Sequence, residues 1–568
     1  MVRLLTIAFC GVLLQSSCLG QDSVPQKVFT HQDTLRGSVT KERAWWDVTK
    51  YAITVEPDFE SKTIAGSNVI AFTTAAAGRR MQIDMQQPMQ VDRVLHQNKS
   101  LPFTRDGNVY YVDFGKALAR GVNDSITIAF SGQPREAVNP PWDGGWIWKR
   151  DRHGNPWMTV ACQGLGASVW YPCKDYQGDE PDNGALLNIV VPDSLVGVGN
   201  GKMVRRETGD GRRKTGTANI PRWRGRRGAP GVDSSKTIYT WSVVNPINSY
   251  TIVPYIGKYI NWKETFKGEK GNLELSYWCL AEDEQKARKQ FSQVPPMLKC
   301  FEHWFGPYPF YEDGYKIVQS PHLGMEHQSA IAYGNKFENG YLGKDLSGTG
   351  WGLKWDFIII HESAHEWFAN SITTNDIADM WVHEGFTTYG ETLFTTCEYG
   401  ANAGNEYCLG IRKNIENDEP MIAPYGVNAE GSIDMYYKGA NVVHMIRQIM
   451  NDDEKFRQLL RNMNKDFYHK TTTSKEIENY IIKKTGKDLS KMFDQYLRGT
   501  RVPLFQYSYS GGVLSYRWKN CVEGFNMPLK IYAGKTIWLT PGTGWQTIRL
   551  DSGDIRIDPN FYIDSRKM

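Results

Sequence analysis

The stretch Ile358–Asn370, IIIHESAHEWFAN, sets two histidines four positions apart, with a glutamate directly after the first and three isoleucines ahead of it. On a helix, residues four apart sit one turn above each other, so His361 and His365 can aim imidazole nitrogens at one ion about 2 Å away. Glu362 then flanks the ion. Read only as a pattern, the same residues could be core or capping positions, because short motifs recur by chance in long chains. A catalytic zinc separates the two readings, since it needs a third protein ligand and an open position for water. The candidate third ligand is Glu384, in MWVHEGFTTYGE, residues 380–391. A helix there places Glu384, Thr388 and Glu391 on one face. Glu391 is then either the orienter of a zinc histidine or a surface carboxylate.

Eighteen residues lie between His365 and Glu384, which is the spacing of the glutamate-zincin (gluzincin) clan. Upstream stands SPHLGMEHQSAIAYGN, residues 320–335, and downstream DMYYKGANVVHMIR, residues 434–447. Together these segments resemble the zinc aminopeptidase family that includes aminopeptidase N, aminopeptidase B and leukotriene hydrolase. The family's Gly-x-Met-Glu-Asn looks like Leu323-Gly324-Met325-Glu326-His327, and its Tyr-x-Lys-Gly looks like Tyr436-Tyr437-Lys438-Gly439. In ACQGLGASVWYPCKD, residues 161–175, Gln163 stands ten residues before Cys173, as the family's amine-binding Gln or Glu stands before its Pro-Cys. The likeness extends over nearly the whole chain from the end of the leader to about Gly499. Leu323, His327 and His383 depart from the family pattern.

The resemblance implies one zinc ion on His361, His365 and Glu384, Glu362 as the general base, and Tyr436 as a hydrogen-bond donor to the developing oxyanion. The residues alone do not choose between Tyr436 and its neighbour Tyr437. It further implies a substrate-binding strand at Gly324, Met325 and Glu326, with Glu326 and Gln163 holding the free amine of a peptide. Gly324 is also the kind of residue that a strand bulge uses. The expected activity is hydrolysis of the first peptide bond of peptides with a free N-terminus. An endopeptidase or a leukotriene-type epoxide hydrolase would share the same zinc site.

Outward from this site, the 568 residues are too many for one core. Segments such as YAITVEPDF, SNVIAFTT and ALLNIVVPD alternate apolar and polar residues between Gly, Asn and Pro, predicting an all-β N-terminal domain over 21–260. The residues from 261 to 499 repeat apolar positions at three and four, predicting a mainly helical zinc domain, and 500–568 return to short strands, enough for a small β-sandwich. The fold class is therefore multidomain α+β, and the resemblance adds a saddle-like shape to the first domain and a thermolysin-like one to the second. Residues 204–235 are basic and glycine-rich, and predict a solvated surface loop. The formal net charge of +4 gives no reason to expect a nucleic-acid partner.

The first 20 residues combine one arginine, an apolar run from Leu4 to Leu14 and small residues up to Gly20, which predicts a secretory signal peptide and an exported protein. Ser16 and Ser17 before Cys18 make lipid anchoring at Cys18 the alternative to cleavage after Gly20. No run is long enough to predict a membrane span. Of nine cysteines, Cys10 and Cys18 belong to the leader. Export permits disulfides, and Cys162/Cys173 and Cys397/Cys408 are the pairs near each other in sequence, with buried thiols as the alternative.

Overall fold

A computed structural model of the chain describes residues 28–208, 213–215 and 235–568. The leader, Cys18 and most of the basic segment lie outside the described residues.

The alternating segments form strands because one face of each packs on a core while the other meets water. Trp46–Asp58 and Thr63–Thr74 pair antiparallel in the middle of a nine-stranded sheet. On one side follow Asn123–Gly132, Gln90–His96 and Lys99–Leu101, and on the other Ala185–Pro192, Lys236–Val243, Lys202–Thr208 and Arg213–Thr215. A three-stranded and a four-stranded sheet complete this part, and Trp46, Tyr51, Ile53, Phe72 and Ile126 are buried in its core. The start of the basic segment is not loop: Lys202–Thr208 pairs with Lys236–Val243, and Arg206 lies over the Tyr239 ring. Charged side chains suit a strand so near the sheet edge, which is why composition hid it.

The region expected to be helical from residue 261 opens instead with the hairpin Tyr259–Gly268 and Gly271–Leu280. Its second strand pairs parallel with Tyr315–Gln319, and Ile331–Tyr333 and Gly324–Met325 complete a five-stranded sheet. Strand 271–280 is buried on both faces from Leu275 onward, so the alternation that announces a strand is absent. From Glu284 on, helices prevail, and Val294–Phe305, Phe357–Ala364, Trp381–Tyr399 and Asp434–Met450 share one core. After residue 503 the chain forms a four-stranded and a three-stranded sheet whose core residues Phe505, Trp518 and Leu529 join the same cluster. Among the described residues, no helix is long and apolar enough to cross a membrane.

The disulfide pairs suggested by nearness in sequence do not form. Cys397 bonds Cys300, 97 positions away, with a Cα–Cα distance of 6.1 Å, and Cys162, Cys173 and Cys408 are buried thiols. Helix packing decides this: Cys397 and Cys408 sit on successive helices, while Cys397 faces the helix Val294–Phe305.

Candidate active site

The helix Phe357–Ala364 starts where the Asp356 carboxylate accepts hydrogen bonds from the amides of Ile358 and Ile359. Asp356 is itself held by Gln290, Tyr333 and Asn335, so the start of the helix is fixed in the core. Ile358, Ile359 and Ile360 are buried, which turns the next turn, with His361 and His365, toward the helix Trp381–Tyr399. Glu384 Oε2 lies 3.5 Å from His361 Nε2 and 3.3 Å from His365 Nε2. Buried Glu384 Oε2 nevertheless receives no hydrogen bond. An orphaned buried carboxylate oxygen facing two imidazole nitrogens is a costly arrangement unless a cation joins them. One ligand atom from each of the three residues falls within 4.8 Å of the others, and two imidazoles with one carboxylate is a donor set that fits zinc.

The far side of each imidazole is anchored. His361 Nδ1 stands 2.7 Å from Glu391 Oε1, whose other oxygen accepts from the Tyr407 phenol at 2.6 Å. His365 Nδ1 donates to the Phe368 carbonyl at 3.0 Å. Both contacts leave Nε2 to face the cleft. Glu391 is thus buried against a histidine and is not a surface carboxylate. A second grouping of Glu326, Glu362 and His365 overlaps the first. Glu326 is less available as a ligand, because its Oε1 accepts from Gln163 Nε2 at 2.6 Å and from the Tyr250 phenol at 2.8 Å.

All nine residues singled out from the sequence line one cleft of about 460 Å³: Gln163, Gly324, Met325, Glu326, His361, Glu362, His365, Glu384 and Tyr436. Gly324 passes so close to the zinc-site helix that an added Cβ would stand 2.7 Å from Glu362 Oε1. Tyr436 reaches the site because its helix, Asp434–Met450, crosses Trp381–Tyr399 at two glycines: a Cβ on Gly439 would meet the Gly385 Cα at 2.9 Å. The Tyr436 ring then lies 6.0 Å from the His361 ring, nearly parallel to it. Tyr437 also lines the cleft.

Two of the three departures from the family pattern make buried structural hydrogen bonds. His327 Nδ1 meets the Tyr255 phenol at 2.6 Å, and His383 Nε2 accepts from the Thr374 amide at 2.9 Å. Leu323 lines the cleft. Sequence reasoning missed Tyr250, which sits in a short 3-10 turn and touches Glu326 from 76 positions away. It also missed Tyr407 behind Glu391 and Asn370, whose side chain donates to the Glu326 carbonyl at 2.9 Å. No spacing or composition signals any of them.

Burial and charge set the protonation of the site. Burial holds Glu362 up at about 7, against the pull of His361 and His365, and burial likewise raises Glu326. Glu384 is held low despite burial, by His365 and His361. Burial pushes both imidazoles down, but Glu384 acts on both and Glu391 on His361, and the carboxylates win, so each rises above its ordinary value. The Tyr436 phenol is raised by burial and by Glu384, and keeps its proton.

Residues 290–496 match the peptidase family M1 domain. Over 487 residues, 82% of this chain, the protein is 20% identical to the probable aminopeptidase 2 of Sulfurisphaera tokodaii, of which 55% is covered. It is 24% identical over 264 residues to the leukotriene A-4 hydrolase of Xenopus laevis, covering 44% of this chain and 40% of the relative. The chain thus spans about half or less of the length of these curated relatives. Among solved structures, the M1 zinc metallopeptidase of Deinococcus radiodurans shares the fold, with a TM-score of 0.62 at 17% identity, over 80% of this chain and 94% of that one.

Proposed function

We propose that this chain, whose residues 290–496 match the peptidase family M1 domain, belongs to that family and is a zinc aminopeptidase that removes the first residue of peptides with a free N-terminus. The observation that carries the reading is the pairing, in one cleft, of the His361, His365 and Glu384 cluster with a buried carboxylate, Glu326, held by Gln163 and Tyr250. Zinc, when bound, polarises the scissile carbonyl and acidifies a water. The remaining steps belong to the chain. Glu362 takes the proton of the attacking water at its carboxylate and returns it to the leaving amine. The Tyr436 phenol donates a hydrogen bond to the oxygen on which negative charge develops. Glu326 and Gln163 bind the α-ammonium group, so that the first peptide bond, and no later one, reaches the attack position.

An interior peptide segment brings no charge to Glu326 and would leave a buried carboxylate facing neutral backbone, which disfavours an endopeptidase. The same pocket for a cation favours peptides over a lipid epoxide. We also read the protein as exported, with a leader over residues 1–20 that is either cleaved after Gly20 or lipidated at Cys18. The Cys300–Cys397 disulfide supports this reading, because such bonds persist in oxidising compartments. The mass of the mature N-terminal peptide decides between cleavage and lipidation.

A time course of peptide digestion followed by mass spectrometry tests the activity. The reading expects single residues to be shed from the N-terminus, cleavage to stop with a chelator, and added zinc to restore it. Internal fragments among the first products would contradict it.

A further inference from the structure

Gln163 reaches the cleft's amine-binding end from a turn of the N-terminal β part, and that turn is an awkward one. Gly164 and Gly166 on either side of Leu165 both have positive φ, 68° and 95°, which only glycine adopts without strain. Two tight backbone bonds close it, Leu165 N to Gln163 O and Gly166 N to Cys162 O, both 2.6 Å. Glycine leaves such a turn unstrained but free to take other shapes, so contacts from outside it narrow the choice.

Part of that restraint is the Gln86 side chain, which donates to the Leu165 carbonyl at 2.7 Å, and part is the short helix His31–Gly37, far away in sequence. Its Arg36 guanidinium donates through Nη1 to the Leu165 carbonyl at 2.8 Å and to Asp175 Oδ2 at 2.6 Å. Asp175 Oδ2 also accepts from the Ser168 amide at 2.9 Å, so one carboxylate joins Arg36 to the exit of the turn. The guanidinium lies flat against Gly166, where a Cβ would stand 1.9 Å from its Nη2. The next residue, Gly37, presses on the backbone of Val427 and Asn428, and the Asn428 side chain donates to the Gly164 carbonyl at 3.1 Å. At its other end the helix is tied down by His31 and Gln32, which reach Asp106. Arg36 is four-fifths buried, and these contacts join three distant parts of the chain around one turn.

We propose that Arg36 is a positioning residue for recognition of the substrate amine, acting through the Cys162–Ser168 turn to hold Gln163 against Glu326. The inference rests on the aminopeptidase reading above and goes beyond it by assigning the N-terminal helix a part in substrate selection. Arg36 touches neither the zinc ligands nor Glu362, so its loss should weaken capture of the amine while leaving the chemical step intact. A purely structural role predicts something different: fewer active molecules, with the same preference among ligands.

The test uses the full zinc-loaded protein and its Arg36→Met and Arg36→Lys variants. Inhibition constants are measured for an α-aminophosphonic acid and for the same phosphonate without its amine, together with kcat and KM on an aminoacyl amide. Loss of a charge-assisted hydrogen bond predicts that Arg36→Met binds the amine-bearing inhibitor about tenfold more weakly, with KM rising to match, the amine-free inhibitor unchanged and kcat within about twofold. Arg36→Lys keeps a cation beside Asp175 but loses the fork that also reaches Leu165, and should fall between the two. If Arg36→Met does not fold, Arg36→Lys carries the test. An unchanged preference for the amine-bearing inhibitor in either zinc-loaded variant, or equal weakening of both inhibitors, overturns the proposal. A wild-type protein that does not distinguish the two inhibitors overturns the aminopeptidase reading itself.

Discussion

Gly324 shows how little freedom single positions in this cleft have. A methyl group there would stand 2.7 Å from Glu362 Oε1 and 2.9 Å from the Ile358 side chain, so the carboxylate would have to move away from its place beside the zinc ligands. Gly324→Ala is expected to cost on the order of 10² in turnover, the contribution of a displaced general base, while zinc content measured by atomic spectroscopy stays near one per chain. The two adjacent tyrosines separate in the same way. Tyr436 faces the His361 ring, and removal of one oxyanion donor costs about 2.7 to 4 kcal/mol, so Tyr436→Phe should lower kcat by 10² or more with KM little changed. Tyr437→Phe should stay near wild type, and the reverse order of the two would show that the register is wrong. At this scale the sequence was informative where chemistry dictates spacing. Two histidines one turn apart and a glutamate on the next helix face can be read directly, because a helix turns those intervals into distances. Tyr250 was not legible, since a phenol reaching Glu326 from a turn 76 positions away follows no interval at all.

Between elements, the site depends on three contacts of the helix Trp381–Tyr399. It crosses Asp434–Met450 through Gly385 and Gly439, it is bonded to Val294–Phe305 by Cys300–Cys397, and it anchors His361 through Glu391. Glu391 is the most easily tested. Its carboxylate fixes which imidazole nitrogen faces the cleft, so Glu391→Ala should weaken zinc binding about 10- to 100-fold in competition with a chelator. Unchanged zinc affinity would reduce Glu391 to a packing residue. The helices were legible from apolar residues at three and four, but the strand Gly271–Leu280 was not, because a strand buried on both faces loses its alternation. The disulfide was hidden for a related reason: helix packing, and not nearness along the chain, brought Cys300 to Cys397.

Across the molecule, the β part and the helical part meet in a polar seam beside the cleft. Gln177 donates to the carbonyl and hydroxyl of Thr374, and Asn248 donates to the Gln177 carbonyl and to Glu180. Burial holds Glu180 up at about 7, against hydrogen bonds from Thr373 and Asn248. The folded protein therefore keeps a proton there that the unfolded chain gives up near its ordinary value of 4.5. The folded state binds more protons between these values, so its stability falls as pH rises through that window, by up to about 1.4 kcal/mol per pH unit. Glu180→Gln should flatten this part of a denaturation profile taken from pH 4.5 to 7, and an unchanged slope would remove Glu180 as its source. The seam also places Gln163, from the β part, against Glu326, from the helical part, so the proposed recognition of a free N-terminus would draw on both parts of the chain. That recognition is the central claim. Its most direct measurement is the ratio of cleavage rates for one peptide with a free and with an acetylated N-terminus, in wild type and in zinc-loaded Glu326→Ala. A large ratio is expected in the wild type, from the ammonium paired with a buried carboxylate, and a collapse toward one in the variant through loss of the free-peptide rate. A wild-type ratio near one, or a large ratio that survives in Glu326→Ala, would contradict that claim.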